Sequence, residues 1–291
     1  MNIFSFFEDT SSSDFLIALS ANAVYSITYL ILTLVVIKAF HSYKKRRVTG
    51  LSQFAFLRSG LNSIRIVYGL ISENDRPSLR SLEEGDVAAL SAMLSLLEEK
   101  FDRRHVGTIN ASAATRLIAD NDAIVSISGP FWNPVTRLLL GRLGSPVWFS
   151  RSRECVEAQS SKQIEAATAY RTEFRNQVPR VCYAVVCVGK IDSVEAARPT
   201  IAVVAAGSSS LGTYGAVIWL RRLANVRRAL KEVPNFYRTS SCNAVLLRVS
   251  DNSPEGFTAY ASAVDNPDYL DISVLTYFRE SDFWSSYEYV Y

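Results

Sequence analysis

The chain has few of the side chains that hold metals or staple small folds. There are two histidines, His41 and His105, and four cysteines, Cys155, Cys182, Cys187 and Cys242, with no C-x-x-C pair among them. The usual zinc spacings are therefore absent, and no metal and no cofactor is expected. Two histidines, one at a basic cluster and one in a loop, also leave no order of residues for a Ser-His-Asp triad. Cys182 and Cys187 lie in an apolar run and read as buried free thiols. A chain of 291 residues buries enough core to fold without disulfides. An excess of one charge is lacking too. The formal net charge of +3 excludes a polycation that meets nucleic acid with its whole surface, so any electrostatic partner must be held by a local patch. No internal repeat and no low-complexity tract is found.

The local absence of charge is more informative. Between Phe15 and Ile37 there is no charged residue, and the run is rich in Leu, Ile, Val and Ala. It exceeds the roughly 20 residues that cross a hydrocarbon core. Ser20, Ser26, Thr28 and Thr33 are tolerable there because their hydroxyls bond back to helix carbonyls. Acidic Glu8, Asp9 and Asp14 precede the run, and Lys38, Lys44, Lys45, Arg46 and Arg47 follow it. A secretory signal carries its basic residues on the other side. The order predicts a single-pass helix in the inner (cell) membrane, with its N-terminus outside and the basic side cytoplasmic. The expected organisation is an outward segment 1–14, a transmembrane helix 15–40, a basic juxtamembrane connector 41–62 and a cytoplasmic α/β domain 63–291. The basic cluster reads as a topology anchor that also contacts anionic membrane lipid. Ser20, Ala21, Ala23, Ser26 and Thr33 are small enough for helices to approach one another, so a homo-oligomer is expected.

Beyond residue 62 short apolar runs alternate with helical spacing. Ile64–Tyr68, Ala123–Ile127, Val147–Phe149, Tyr183–Val188 and Ile201–Ala206 read as strands. Glu83–Phe101 reads as an amphipathic helix with Val87, Leu90, Met93, Leu94, Leu97 and Phe101 on one face. Ser112–Ala119, Asn133–Arg142 and Leu211–Leu230 are further helical stretches, the last with Ile218, Leu220, Leu223 and Val226 buried. Glu154–Gln177 is polar and reads as an exposed, helix-compatible excursion. Ala244–Val249, Phe257–Val264 and Ile272–Phe278 read as strands with no helix between them. The pattern predicts an α/β fold: a mainly parallel sheet covered on both faces, with an antiparallel C-terminal edge.

Two strand ends carry the candidate chemistry. In Ser128-Gly129-Pro130-Phe131-Trp132-Asn133-Pro134, the glycine follows a buried strand. Asn133 stands at a helix N-cap and Pro134 at the first helical position. Free amides at such a start favour an anion. In Ala206-Gly207-Ser208-Ser209-Ser210-Leu211-Gly212-Thr213, glycines and serines offer amides and hydroxyls that suit a phosphate or carboxylate. This run is neither a Walker loop nor G-x-G-x-x-G. Close helix-to-strand packing through small residues explains it equally. The candidate ligand-binding residues are Gly129, Pro130, Asn133, Arg137, Gly207, Ser208, Ser209, Gly212, Thr213 and Arg221. Asn133 and Thr213 would orient the ligand, and Arg137 or Arg221 would supply charge.

The residues Gly129, Pro130, Asn133 and Thr136, followed by Ala206, Gly207, Gly212, Thr213 and Ala216, resemble the paired turns of a prokaryotic Rossmann-like α/β domain. Its members carry Gly-Gly-Pro-x-x-Asn in the first turn, where this chain has Ser128 in place of the first glycine. The resemblance spans about Ile64 to Leu223 and implies the fold more than an activity. One membrane helix joined to such a domain is also similar in architecture to small bacterial antiviral defence effectors gated by nucleotide signals. The resemblance implies a nucleotide or oligonucleotide ligand. Two readings stand beside it: a membrane-tethered enzyme acting on a nucleotide as a glycosidase or transferase, and a structural docking protein.

Overall fold

The computed structural model of the chain describes Thr33, 61, 63–69, 71–72, 80–81, 84–99, 101–113, 121–150, 155–163, 165–175, 178–192, 199–225, 242–252 and 269–284. The chain divides into two compact units, Met1–Thr49 and Gly50–Tyr291. The described residues other than Thr33 belong to the second. The expected membrane helix, the basic cluster, the strand Phe257–Val264 and most of the helix Ser112–Ala119 lie outside the described residues. Among the described residues no helix is long and apolar enough to cross a membrane.

In chain order the elements are β1 (Ile64–Tyr68), β2 (Ile71–Ser72), β3 (Arg80–Ser81), α1 (Glu84–Glu98), β4 (Val106–Asn110), β5 (Ala123–Ile127), α2 (Pro134–Leu143), β6 (Val147–Phe149), β7 (Cys155–Ala158), β8 (Thr168–Arg171), β9 (Glu173–Arg175), β10 (Val178–Ile191), β11 (Thr200–Gly207), α3 (Ser210–Asn225), β12 (Asn243–Asp251) and β13 (Leu270–Arg279). The main sheet runs β13-β12-β10-β11-β5-β1-β4, with β9 also paired to β10.

The fold is mixed α/β. The half β4-β1-β5-β11 is parallel, whereas β10 pairs antiparallel with both β11 and β12, and β12 antiparallel with β13. The antiparallel part therefore begins at β10, one strand deeper in the sheet than the expected C-terminal edge. The cause is connection length. Only residues 192–199 join β10 to β11, and a parallel return needs a crossover of a dozen residues or more.

Each central strand buries both faces, with period two. Ala123, Val125 and Ile127 of β5 join Met93 and Leu97 of α1 and Leu211 and Leu223 of α3 in one core. Ile124 points to the other, with Leu139 and Leu140 of α2, Val147 of β6 and Val156 of β7. Helices thus cover both faces of the parallel half, α1 and α3 on one side and α2 on the other.

Several elements differ from the sequence expectation. In α1 the buried stripe is Ala89, Met93, Leu96 and Leu97, while Val87 is 48% exposed. Small residues at the start of α1 let it lie close to α3: a Cβ on Gly85 would stand 2.8 Å from the Ser210 carbonyl oxygen. That contact turns Val87 outward. Glu154–Gln177 holds no helix among its described residues. It supplies β7, β8 and β9, and β6-β7-β8 form a small antiparallel sheet. Cys155, Val156 and Ala158 are buried while Glu157 accepts a 2.9 Å hydrogen bond from the Trp148 indole. The edge strand β4, with only Val106 and Ile109 as large apolar residues, gave no strand signal in the sequence.

Candidate functional site

The order of the parallel strands creates one special place. From β1 the chain passes through α1 to β4, on one side of β1; it then returns to β5, on the other side. Helix α1 belongs to one core and α2, which follows β5, to the other. The carboxyl ends of β1 and β5 therefore lead away to opposite faces. Such a switch point opens a crevice at the strand ends, where open α/β sheets bind ligands.

The two candidate turns meet at this edge. β5 and β11 are parallel neighbours, so both end on the same side of the sheet. A Cβ on Gly129 would lie 2.9 Å from the Gly207 carbonyl oxygen, which leaves the backbones in contact. Gly69, after β1, carries the chain beneath the first turn: a Cβ there would lie 2.4 Å from the Trp132 carbonyl oxygen.

Asn133 is the N-cap of α2, and Pro134 begins the helix, as the sequence predicts. Its Oδ1 accepts from Val135 N at 3.0 Å and Thr136 N at 3.3 Å. Its Nδ2 donates to Ile127 O at 2.7 Å, Ser126 Oγ at 3.0 Å and Val67 O at 3.2 Å. An asparagine side chain has two donor hydrogens and one acceptor oxygen, so Asn133 is fully used inside the fold. It ties the ends of β1 and β5 to α2. The amides that were expected to await an anion are taken by Asn133 itself. A directed chain continues from it. Thr136 Oγ1 donates to Ser128 O at 2.9 Å, so in its 2.8 Å contact with Ser126 Oγ it accepts.

Ser128 breaks this economy. It is the one described non-glycine residue with positive φ, at 85°. A side chain there costs on the order of 1 kcal/mol that glycine avoids. The residue is 0% exposed, and its Oγ has no hydrogen-bond partner among the described residues. A buried hydroxyl left unsatisfied costs about 1–3 kcal/mol more. The sequence expectation did not include Ser128 in the site. The signal was present, as a serine directly before Gly129 in the turn.

The second turn is built for packing. A Cβ on Gly207 would stand 2.3 Å from Thr213 N, and one on Gly212 would stand 3.1 Å from the Gly207 Cα. Ser209 Oγ accepts from Gly212 N at 3.2 Å, Thr213 N donates to Ser209 O at 3.0 Å, and Gly207 N donates to Thr213 Oγ1 at 3.2 Å. Ser208 extends the β10–β11 ladder: its amide donates to Tyr183 O at 2.8 Å and its Oγ accepts from Tyr183 N at 3.2 Å. Thr172, between β8 and β9, meets Ser208 Oγ at 2.7 Å. The excursion thereby reaches this edge and brings exposed Arg171 with it.

The two expected cations part company. Arg137 is exposed and donates to Pro130 O at 3.2 Å, which holds it beside the first turn; Pro130 itself is buried. Arg221 lies eleven residues beyond Ser210 on α3, roughly 16 Å along the helix at 1.5 Å per residue. It is too far to serve the turns. Asp86 is 5% exposed at the start of α1. Asp122 lies at the opposite, amino end of β5, where it accepts from Ser63 N at 3.2 Å. Under the second turn, burial pushes the Cys182 thiol up to about 12, against a lowering hydrogen bond from Ser209.

No family model, curated protein or solved structure matches this chain.

Proposed function

We propose that the chain is a membrane-anchored sensor or effector whose 63–291 domain takes a nucleotide-like or phosphate-bearing ligand at the carboxyl ends of β1 and β5. The switch point between these strands carries the reading, because open α/β sheets bind ligands outside the carboxyl ends of their strands where the connections part to opposite faces. The contact between the Ser128–Gly129 and Gly207–Ser209 turns supports it. With the α2 amides occupied by Asn133, negative charge on the ligand falls to Arg137 and Arg171 rather than to Arg221. The membrane part rests on the uncharged run from Phe15 to Ile37 and its flanking charges. An effector that disrupts a membrane needs several copies of the chain, since one helix encloses no pore.

The test is thermal unfolding of the full-length chain in detergent with millimolar inorganic phosphate, ribose 5-phosphate, a nucleoside monophosphate or a short oligonucleotide. A ligand that binds only the folded state raises Tm by mass action, by about 2.7 kcal/mol of stability at a hundred times its Kd. Arg137→Ala should shrink the rise and Arg221→Ala should leave it intact. If no probe moves the wild-type transition, the two turns are packing devices and the reading fails.

A further inference from the structure

We infer that the Ser128 hydroxyl, 0% exposed in the ligand-free fold, becomes a ligand contact when the packing over it gives way on binding, a residue kept for recognition at the expense of the ligand-free fold. This deepens the reading just given and rests on it. Ser128 carries two separate penalties. Its φ of 85° lies where glycine is favoured, and its buried Oγ makes no hydrogen bond among the described residues. Glycine at this position would remove both at once. The surrounding turn shows that the fold is able to satisfy polar groups here. Ser126, Asn133 and Thr136 are all paired, and even the Ser128 carbonyl receives the Thr136 hydroxyl at 2.9 Å. Only the side chain of Ser128 is left out. Ser250 also has an unpaired buried hydroxyl, but it lies in regular β12 with no positive φ, three strands from β5 in the sheet and so away from the switch point. What sets Ser128 apart is that strain, orphaned hydroxyl and switch point coincide. Strained residues persist where the surrounding structure holds them for a task.

The chemistry of the ligand follows from the group. A hydroxyl both donates and accepts, so it serves a phosphate oxygen or a sugar hydroxyl. It takes the place in recognition that the capped amides of α2 do not fill.

The experiment compares the full-length wild type with Ser128→Gly and Ser128→Ala, in detergent, with and without inorganic phosphate, ribose 5-phosphate and a nucleoside monophosphate. Without ligand, Ser128→Gly should melt about 2–5 °C higher than wild type, part of the gain being taken back by the greater freedom of glycine in the unfolded chain. Ser128→Ala removes the hydroxyl but keeps the strain, and should fall between the two. With the probe that stabilises wild type most, both variants should bind about tenfold more weakly. A lower melting temperature for ligand-free Ser128→Gly would show that the hydroxyl has a structural role and overturn the inference. Undiminished binding by both variants would overturn it too, while leaving the switch-point site standing. Failure of every probe on wild type removes both.

Discussion

Ser128 and Asn133 stand five residues apart in one turn and use their polar groups in opposite ways. Half of what Asn133 does was legible, because capping is local: its Oδ1 reaches amides two and three residues on. The other half was not. Its Nδ2 reaches Val67 O, sixty-six residues away, and only the pairing of β1 with β5 brings that carbonyl near. The cysteines show the same division. Their apolar neighbours marked Cys182 as buried, and in the structure it is a free thiol with 0% exposure. How far its acidity is suppressed depends on how completely the neighbouring elements exclude water. That suppression has a consequence for stability. In the unfolded chain the thiol loses its proton near its ordinary value, 9.0, whereas in the folded chain it holds it to about 12. The unfolded state therefore binds fewer protons across this window, and its contribution to stability, complete below pH 9, is lost as pH rises from 9 towards 12. The slope per fully developed thiol is about 1.4 kcal/mol per pH unit. Urea unfolding at several pH values should show Cys182→Ala losing stability less steeply than wild type above pH 9. Parallel curves would mean that the thiol does not contribute.

At the scale of elements, strands buried on both faces were readable and their partners were not. The runs at β1, β5, β11 and β12 are continuous and apolar because each packs against two layers. Glu154–Gln177 misled because its polar residues hide a period of two over only a few residues in each strand. The face of α1 was read nearly right: Met93, Leu97 and Phe101 are buried and Leu90 and Leu94 pack against the core, but Val87 is exposed and Ala89 and Leu96 are buried in its stead. Gly85 lets α1 approach α3. The glycines of the second turn decide an element-scale test. A Cβ at Gly207 would meet the backbone of Thr213 at 2.3 Å, and backbone does not swing aside. A Cβ at Gly212 would meet its nearest atoms at 3.1 Å, a gap that a small shift restores. Gly207→Ala should therefore cost about 3 kcal/mol or more and Gly212→Ala about 1 kcal/mol, read from urea midpoints. Equal costs would contradict the packing described for this turn. Because Gly207 supports the fold, loss of ligand binding in a Gly207 variant says nothing about contact with the ligand. Ser128 and Arg137 are the cleaner probes.

For the whole molecule, the asymmetry of charge about Phe15–Ile37 predicts a cytoplasmic main domain. A reporter active only in the cytoplasm, fused after Tyr291, should be active, and one active only outside should be silent; the reverse pattern would sink the orientation. The sequence by itself determined what depends on near neighbours and on burial. It marked an uncharged run long enough for a membrane, an α/β alternation, a capped strand-to-helix turn ending in Asn133 and Pro134, and free buried cysteines. Each follows from solvation or from contacts within a few residues, and composition and spacing encode both. Only the tertiary structure decided the strand order, the start of the antiparallel half at β10, the meeting of Gly129 with Gly207, the removal of Arg221 from the site and the isolation of the Ser128 hydroxyl. Those depend on which distant strands pair and which atoms then remain without a partner. A hydroxyl is unsatisfied only relative to every group around it, and those groups come from segments that the chain alone does not place side by side.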